Sequence, residues 1–189
     1  MILDIEQNHL SYTQCLDKRR LGDIQLVVVH CTELPDLTTA RIWGEKLVHP
    51  ATQTGNSGHF YIDRDGKTEQ WVPLNRVAHH VRGYNDNSIG IELVNTGRYP
   101  DWFKSDRQAM TEPYTTHQIE ALATLLKLLK HDLPDLESIA GHEDLDVEKL
   151  PSEDQPDILI SRKVDPGPLF PWPAILKSVA LTRVTIKDL

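Results

Sequence analysis

Cysteine is scarce: Cys15 and Cys31 are the only two, too few for a disulfide framework and best suited to a reducing compartment. Long hydrophobic runs are missing as well. No uninterrupted apolar stretch approaches the roughly 20 residues that a membrane-spanning helix needs. The first six residues carry Asp4 and Glu6 and lack the basic and apolar regions of a secretory leader, so a cytoplasmic protein is expected. Positive charge is in deficit, with 20 Lys and Arg against 28 Asp and Glu and a net charge of −8. That balance argues against nucleic-acid binding by phosphate neutralisation. It also means that an anionic ligand must be met by local basic groups rather than by the overall field. Repeats, low-complexity tracts and linkers are absent, and 189 residues suit one compact domain. No nucleic acid, membrane or obligate protein partner is expected.

The patterning that is present alternates between strand and helix. Residues 1–25 are polar and mixed and are expected as an irregular N-terminal arm. Leu26-Val27-Val28-Val29-His30 is a β-branched run of the kind buried on both faces. Thr38 to Val48 fits a short helix stopped by Pro50. His59 to Ile62 and Thr68 to Val72, joined by Arg64-Asp65-Gly66, fit a hairpin. Ser88 to Val94 alternates, with Ile89, Ile91 and Leu93 on one face and Gly90, Glu92 and Val94 on the other. Thr115 and Gln118 predict a capping box opening a helix whose stripe is Ile119, Leu122, Leu125, Leu126 and Leu129. Leu136 to His142 predicts another strand, followed by a polar loop of a length that is commonly functional. Trp172 to Leu181 predicts a closing helix with Pro173 in its first turn. The expected fold is α/β: one domain over residues 26–181, a central mixed sheet flanked by helices, and a tail over 182–189.

Three candidate ligands lie at element ends: His30, His142 and Asp165, the last in a turn rich in proline and glycine. Rigid strand ends are where a metal site needs its side chains. Two imidazoles and a carboxylate match the protein ligands of hydrolytic zinc sites, whose fourth position is left for water. No spacing rule of the H-E-x-x-H kind joins residues so far apart, and with nine histidines in the chain chemistry alone leaves them as candidates.

Five segments occur in one order: Val27-Val28-Val29-His30-Cys31-Thr32, Ser57 to Gly66, Asn85 to Leu93, Ala140-Gly141-His142, and Arg162-Lys163-Val164-Asp165-Pro166-Gly167-Pro168. Over roughly residues 26–176 this order resembles the N-acetylmuramoyl-L-alanine amidase type 2 family, which includes phage lysozyme-type amidases and peptidoglycan recognition proteins. The resemblance implies one zinc ion on His30, His142 and Asp165. Aspartate rather than cysteine at the third position resembles the bacterial enzymes that recycle anhydromuramyl peptides. The implied reaction is hydrolysis of the amide between the lactyl group of N-acetylmuramic acid and L-alanine of the stem peptide, with a muropeptide or peptidoglycan as substrate.

Further roles follow from the same resemblance. Glu92 is the expected general base for a water activated at the metal, and a carboxylate inside an apolar strand is costly unless paired or functional. Lys163, two residues before Asp165, is the expected stabiliser of the oxyanion. His80 aligns with a family histidine, although its surroundings, Ala78-His79-His80-Val81-Arg82-Gly83, depart from the family's Trp-His-Ala-Gly and look closer to phage-type members. Substrate contact and support of the metal site both stay open for it. Arg82 is a candidate for a stem-peptide carboxylate, or equally a surface arginine. His59 has either a structural or a site role. Cys31 is expected to point away from the metal into the core, and Tyr99, Trp102 and Phe103 either pack their loop or stack on sugars. Two alternatives compete: a non-catalytic peptidoglycan-binding module, disfavoured because all three ligands are present, and an endolysin acting on intact cell wall. Regulation of another protein, known among phage-type members, has no support in these residues.

Overall fold

Strand β2 (Leu26–Cys31) is buried along its whole length, as its unbroken apolar run predicts for the middle of a sheet. In the computed structural model, which describes residues 3–188, β2 lies between β5 (Ser88–Leu93) and β6 (Ser138–Gly141), parallel to both. The sheet continues through β3 (Phe60–Ile62) and β4 (Thr68–Gln70) to β1 (Ile5–Gln7) on one side and to β9 (Thr182–Arg183) on the other, giving the order β1-β4-β3-β5-β2-β6-β9. Within this sheet, among the described residues, only β3 and β4 pair antiparallel. They form the expected hairpin, and Gly66 supplies its turn with φ +88°, a conformation that costs glycine nothing.

The inner strands divide their side chains by alternation. Val27, Val29, Ile89, Ile91, Leu93, Phe60 and Ile62 face one way and pack on α2 (Thr116–Asp132) through Leu122, Leu125, Leu126 and Leu129. The capping box forms: the Gln118 amide N–H donates to Thr115 Oγ1, and the Thr115 N–H to Gln118 Oε1, both at 3.1 Å. Gln118 Nε2 also donates to the Val94 carbonyl at 2.8 Å, tying the start of the helix to the end of β5. Leu125 is 1% exposed. Leu125→Ala is expected to cost about 2–5 kcal/mol, read as a lower urea midpoint at unchanged slope.

Several elements differ from expectation. Helix α1 spans Leu37–Gly44 and is capped by Asp36, which accepts from the Thr39 N–H at 2.6 Å, so it is shorter than the stretch to Val48. Residue His142 opens a one-turn helix, α3 (His142–Leu145), one residue past β6. The loop after it holds a two-stranded ribbon of β7 (Lys149–Pro151) and β8 (Leu159–Ser161). Helix α4 (Trp172–Ser178) closes the chain before β9. The N-terminal arm is ordered: β1 extends the sheet, and Leu10, Tyr12 and Leu16 pack with Tyr61 and Trp71 in a second cluster. Arg19 donates to the carbonyls of Leu74 (2.8 Å), Asn85 (3.1 Å) and Ser88 (2.6 Å). No helix among the described residues is long and apolar enough to cross a membrane.

Candidate metal centre and catalytic cleft

The sheet's register builds one wall of a cleft. His30 of β2 is paired with Glu92 of β5, and Glu92 with Tyr61 of β3. In-register neighbours on parallel strands project to the same side, with strands about 4.8 Å apart, so the three share the face opposite α2. His142 enters from the end of β6 and Asp165 from the turn after β8. The Glu143 N–H donates to the Asp165 carbonyl at 2.9 Å and fixes that turn against α3.

His30, His142 and Asp165 are all buried, and their ligand atoms lie within 4.8 Å of one another. Asp165 Oδ2 is 2.9 Å from His30 Nδ1 and 3.2 Å from His142 Nδ1. His142 Nε2 and Asp165 Oδ1 are buried with no hydrogen-bond partner. Buried polar atoms without partners are rare and costly, and two imidazoles with a carboxylate are a donor set for a divalent cation. The cluster therefore fits a metal ion.

The electrostatics are polarised around this point. Burial alone would raise the Asp165 carboxyl, but the His142 ring, the hydrogen bond to His30 and the Lys163 charge hold it well below the usual carboxylate range. Burial pushes His30 down to about 4, against the pull of Asp165. Burial, and then the Asp165 charge, push the Glu92 carboxyl up to about 8, with Lys163 opposing. A carboxyl moved in this way beside a metal-type cluster makes Glu92 a candidate functional group.

The cleft has a volume of about 960 Å³ and is lined by all three cluster residues together with Glu92, Lys163, His80 and Arg82, which is room for a ligand of drug size or larger. His80 stands against the cluster, its Nδ1 3.0 Å from His30 Nε2. Arg82 lies at the rim, 71% exposed at its side chain and paired with Glu148. Trp102 packs against the second cluster and donates its indole N–H to the Glu33 carbonyl at 3.1 Å, while still lining the cleft with Phe103. Cys31 is buried beside the cleft, and burial, then the Asp165 charge, raises its thiol well above the usual range.

Some contributors escape sequence reasoning. Trp43, on α1, is 46% exposed and stands edge-to-face with Trp102, with ring centroids 6.0 Å apart. Arg98 forms a bidentate pair with Glu33 (2.7 and 2.8 Å) and donates to the Ser161 and Arg162 carbonyls, so it clamps the segment leading to Lys163. Neither has a motif, because each acts through residues about 60 positions away in the chain.

His59 has an internal place. It is fully buried, its Nδ1 accepts the Gly90 N–H at 3.1 Å, and its Nε2 lies 3.1 Å from the Arg76 carbonyl. Burial, followed by the Arg19 charge, pushes its pKa well below the usual value. The unfolded chain therefore binds a proton near the ordinary histidine pKa of about 6.5 that the folded chain does not. Stability falls as pH drops below that value, by up to about 1.4 kcal/mol per pH unit from this group. His59→Gln is expected to flatten the pH dependence of the urea midpoint between roughly pH 6 and pH 5, within the window this histidine opens below its ordinary pKa. An unchanged slope would remove His59 as its source.

Comparison with known proteins agrees with the geometry. The N-acetylmuramoyl-L-alanine amidase family profile matches residues 20–168. The 1,6-anhydro-N-acetylmuramyl-L-alanine amidase AmpD of Salmonella typhimurium (strain SL1344) is 32% identical over 178 residues, covering 83% of this chain and 81% of the relative. A crystal structure of an AmpD derivative superposes with a TM-score of 0.63 at 26% identity, over 95% of this chain and 99% of the other. The amidase AmiD from E. coli, solved with anhydro-N-acetylmuramic acid-L-Ala-D-gamma-Glu-L-Lys, superposes with a TM-score of 0.59 at 27% identity, over 82% of this chain and 57% of AmiD. With its mixed α/β sheet, its buried His-His-Asp cluster and a profile match over most of its length, this chain belongs to the N-acetylmuramoyl-L-alanine amidase family.

Proposed function

We propose that the chain is a zinc-dependent amidase that cleaves the bond between the lactyl group of anhydro-N-acetylmuramic acid and L-alanine of a soluble stem peptide. The observation that carries this is the convergence of buried His30, His142 and Asp165 beside the half-buried Glu92 carboxyl in one cleft. The three residues hold one zinc ion. Zinc, when bound, supplies a Lewis acid for the scissile carbonyl and makes water a nucleophile near neutral pH.

The chain's own residues do the rest. Glu92 takes the proton of the attacking water and then delivers it to the leaving amine of L-alanine. Lys163 places its ammonium where negative charge develops on the carbonyl oxygen. Arg82, at the exposed rim, meets a carboxylate of the stem peptide, the local positive charge that a protein of net charge −8 needs for an anionic substrate. The soluble anhydro form, and with it a cytoplasmic site of action, is supported by the similarity to AmpD over most of both lengths and by the ligand in the AmiD complex.

Purified sacculi and anhydromuramyl tripeptide, each incubated with the zinc-loaded protein and followed by mass spectrometry, separate the possibilities. Release of a peptide with a free L-alanine amine from the tripeptide, with sacculi largely intact, is the expected result. Preferential digestion of sacculi would assign the chain to intact wall, and no release from either would overturn the amidase reading.

A further inference from the structure

His80 makes contacts that a residue reserved for substrate would not need. Its Nδ1 is 3.0 Å from His30 Nε2, and its Nε2 is 3.2 Å from Ser88 Oγ. The fully buried Ser88 hydroxyl donates to the Tyr84 carbonyl at 2.6 Å. A hydroxyl has one proton, so Ser88 Oγ is left to accept from His80. The His80 ring thus faces His30 at one nitrogen and Ser88 at the other, and a neutral imidazole carries one N–H. Once that proton sits on Nε2 facing Ser88, Nδ1 is a lone pair facing His30. The His30 proton then belongs on Nε2, and His30 Nδ1, the nitrogen facing Asp165, is free to ligate.

We propose that His80 is a positioning residue for the metal centre: as the acceptor of the His30 Nε2–H, it holds His30 in the tautomer and ring orientation that present Nδ1 to zinc. The inference rests on the zinc reading above and deepens it. A metal-ligating histidine ordinarily gives its second N–H to a carboxylate, carbonyl or water, and here the acceptor is a second imidazole backed by a hydroxyl and a peptide carbonyl.

The surrounding chain is shaped for this contact. A Cβ on Gly90 would lie 2.6 Å from His80 Cγ and 2.8 Å from its Nδ1, so glycine at this strand position is what lets the ring lie against β5. The His80 and Val81 N–H groups both donate to Asn85 Oδ1, at 3.0 and 2.8 Å. Arg19 holds the Asn85 and Ser88 carbonyls from the other side. The ring therefore sits in a frame fixed on two sides.

The test is zinc affinity by competition with a chromophoric chelator, read alongside nitrogen-15 spectra of the histidine rings in the zinc-loaded protein. His80→Phe, which fills the space but accepts nothing, is expected to bind zinc about 10–100-fold more weakly. His80→Gln, whose amide oxygen accepts from His30, is expected to retain most of the affinity, and Ser88→Ala to fall between. The wild-type spectrum is expected to show the His80 proton on Nε2 and a coupling across the hydrogen bond from His30 Nε2 to His80 Nδ1. Should His80→Phe fail to fold, His80→Gln, Ser88→Ala and that spectrum still decide. Wild-type affinity in His80→Phe, or the His80 proton on Nδ1, would overturn the inference while leaving the zinc reading intact. A wild-type chain that bound no zinc would overturn both.

Discussion

Glu92→Gln is expected to leave the fold and the metal in place and to lower kcat about 10²–10⁴-fold. Glutamine has nearly the same volume and leaves the side chain in register with His30 and Tyr61, so the sheet has no reason to shift. What disappears is the only group at this position that can accept and return a proton. Desolvation and the Asp165 charge push its carboxyl up to about 8, so a neutral amide there is, if anything, easier to accommodate than a carboxylate. Stability at pH 8 or above should accordingly be equal to or greater than wild type. Circular dichroism, zinc content and steady-state rates on anhydromuramyl tripeptide check the three parts together. Wild-type turnover in Glu92→Gln would remove the residue from the base role.

Asp165→Ala is expected to act one step earlier, on the metal itself. Asp165 Oδ2 stands between His30 Nδ1 and His142 Nδ1, and its carboxylate is held ionised by those rings and by Lys163. Without it, two buried imidazoles remain, with one protein ligand and one negative charge fewer. Structural zinc sites with four protein ligands contribute apparent binding energies of about 10–16 kcal/mol. On that scale one ligand is worth about 2.5–4 kcal/mol, a loss of affinity of about a hundred- to a thousandfold. Thermal unfolding offers a second readout. At free zinc of about 100 times Kd the wild type gains about 2.7 kcal/mol of stability, or some 5–10 °C for a domain of this size. The variant should gain at most about 0.4 kcal/mol at the same concentration. Glu92→Gln should keep the wild-type shift in full, which separates the metal ligand from the proposed base by one measurement.

The parts of the fold that could be read in the chain are those whose signal is local. The Val27-Val28-Val29 run, the Arg64-Asp65-Gly66 turn and the Thr115–Gln118 capping box each carry their own physics within a few residues, and each appears in the structure. Strands β1 and β9 were not legible. Ile5-Glu6-Gln7 and Thr182-Arg183 are short, largely polar edge segments, and their pairing depends on a neighbour far away in the chain. The same holds for Leu10, Tyr12 and Leu16, whose burial follows no helical or strand period.

The site divides along the same line. His30 and Glu92 could be placed on strands, but nothing in their spacing joins them to His142 and Asp165, and only the ordered motifs did so. The contact of His80 with His30 and Ser88 depends on Gly90 leaving room beside β5. A three-dimensional vacancy of that kind has no sequence pattern. The pairing of Glu33 with Arg98 is hidden for the same reason: neither residue differs in the sequence from a solvated charge, and only the fold buries both.

The most direct test of the account is to strip the protein of metal with a chelator, add back one equivalent of zinc, and follow cleavage of anhydromuramyl tripeptide by mass spectrometry. The account predicts no free L-alanine peptide from the stripped protein, full recovery at one zinc per chain, and no recovery in Asp165→Ala at the same zinc concentration. Cleavage that persists without metal, or that zinc restores equally in Asp165→Ala, would contradict it.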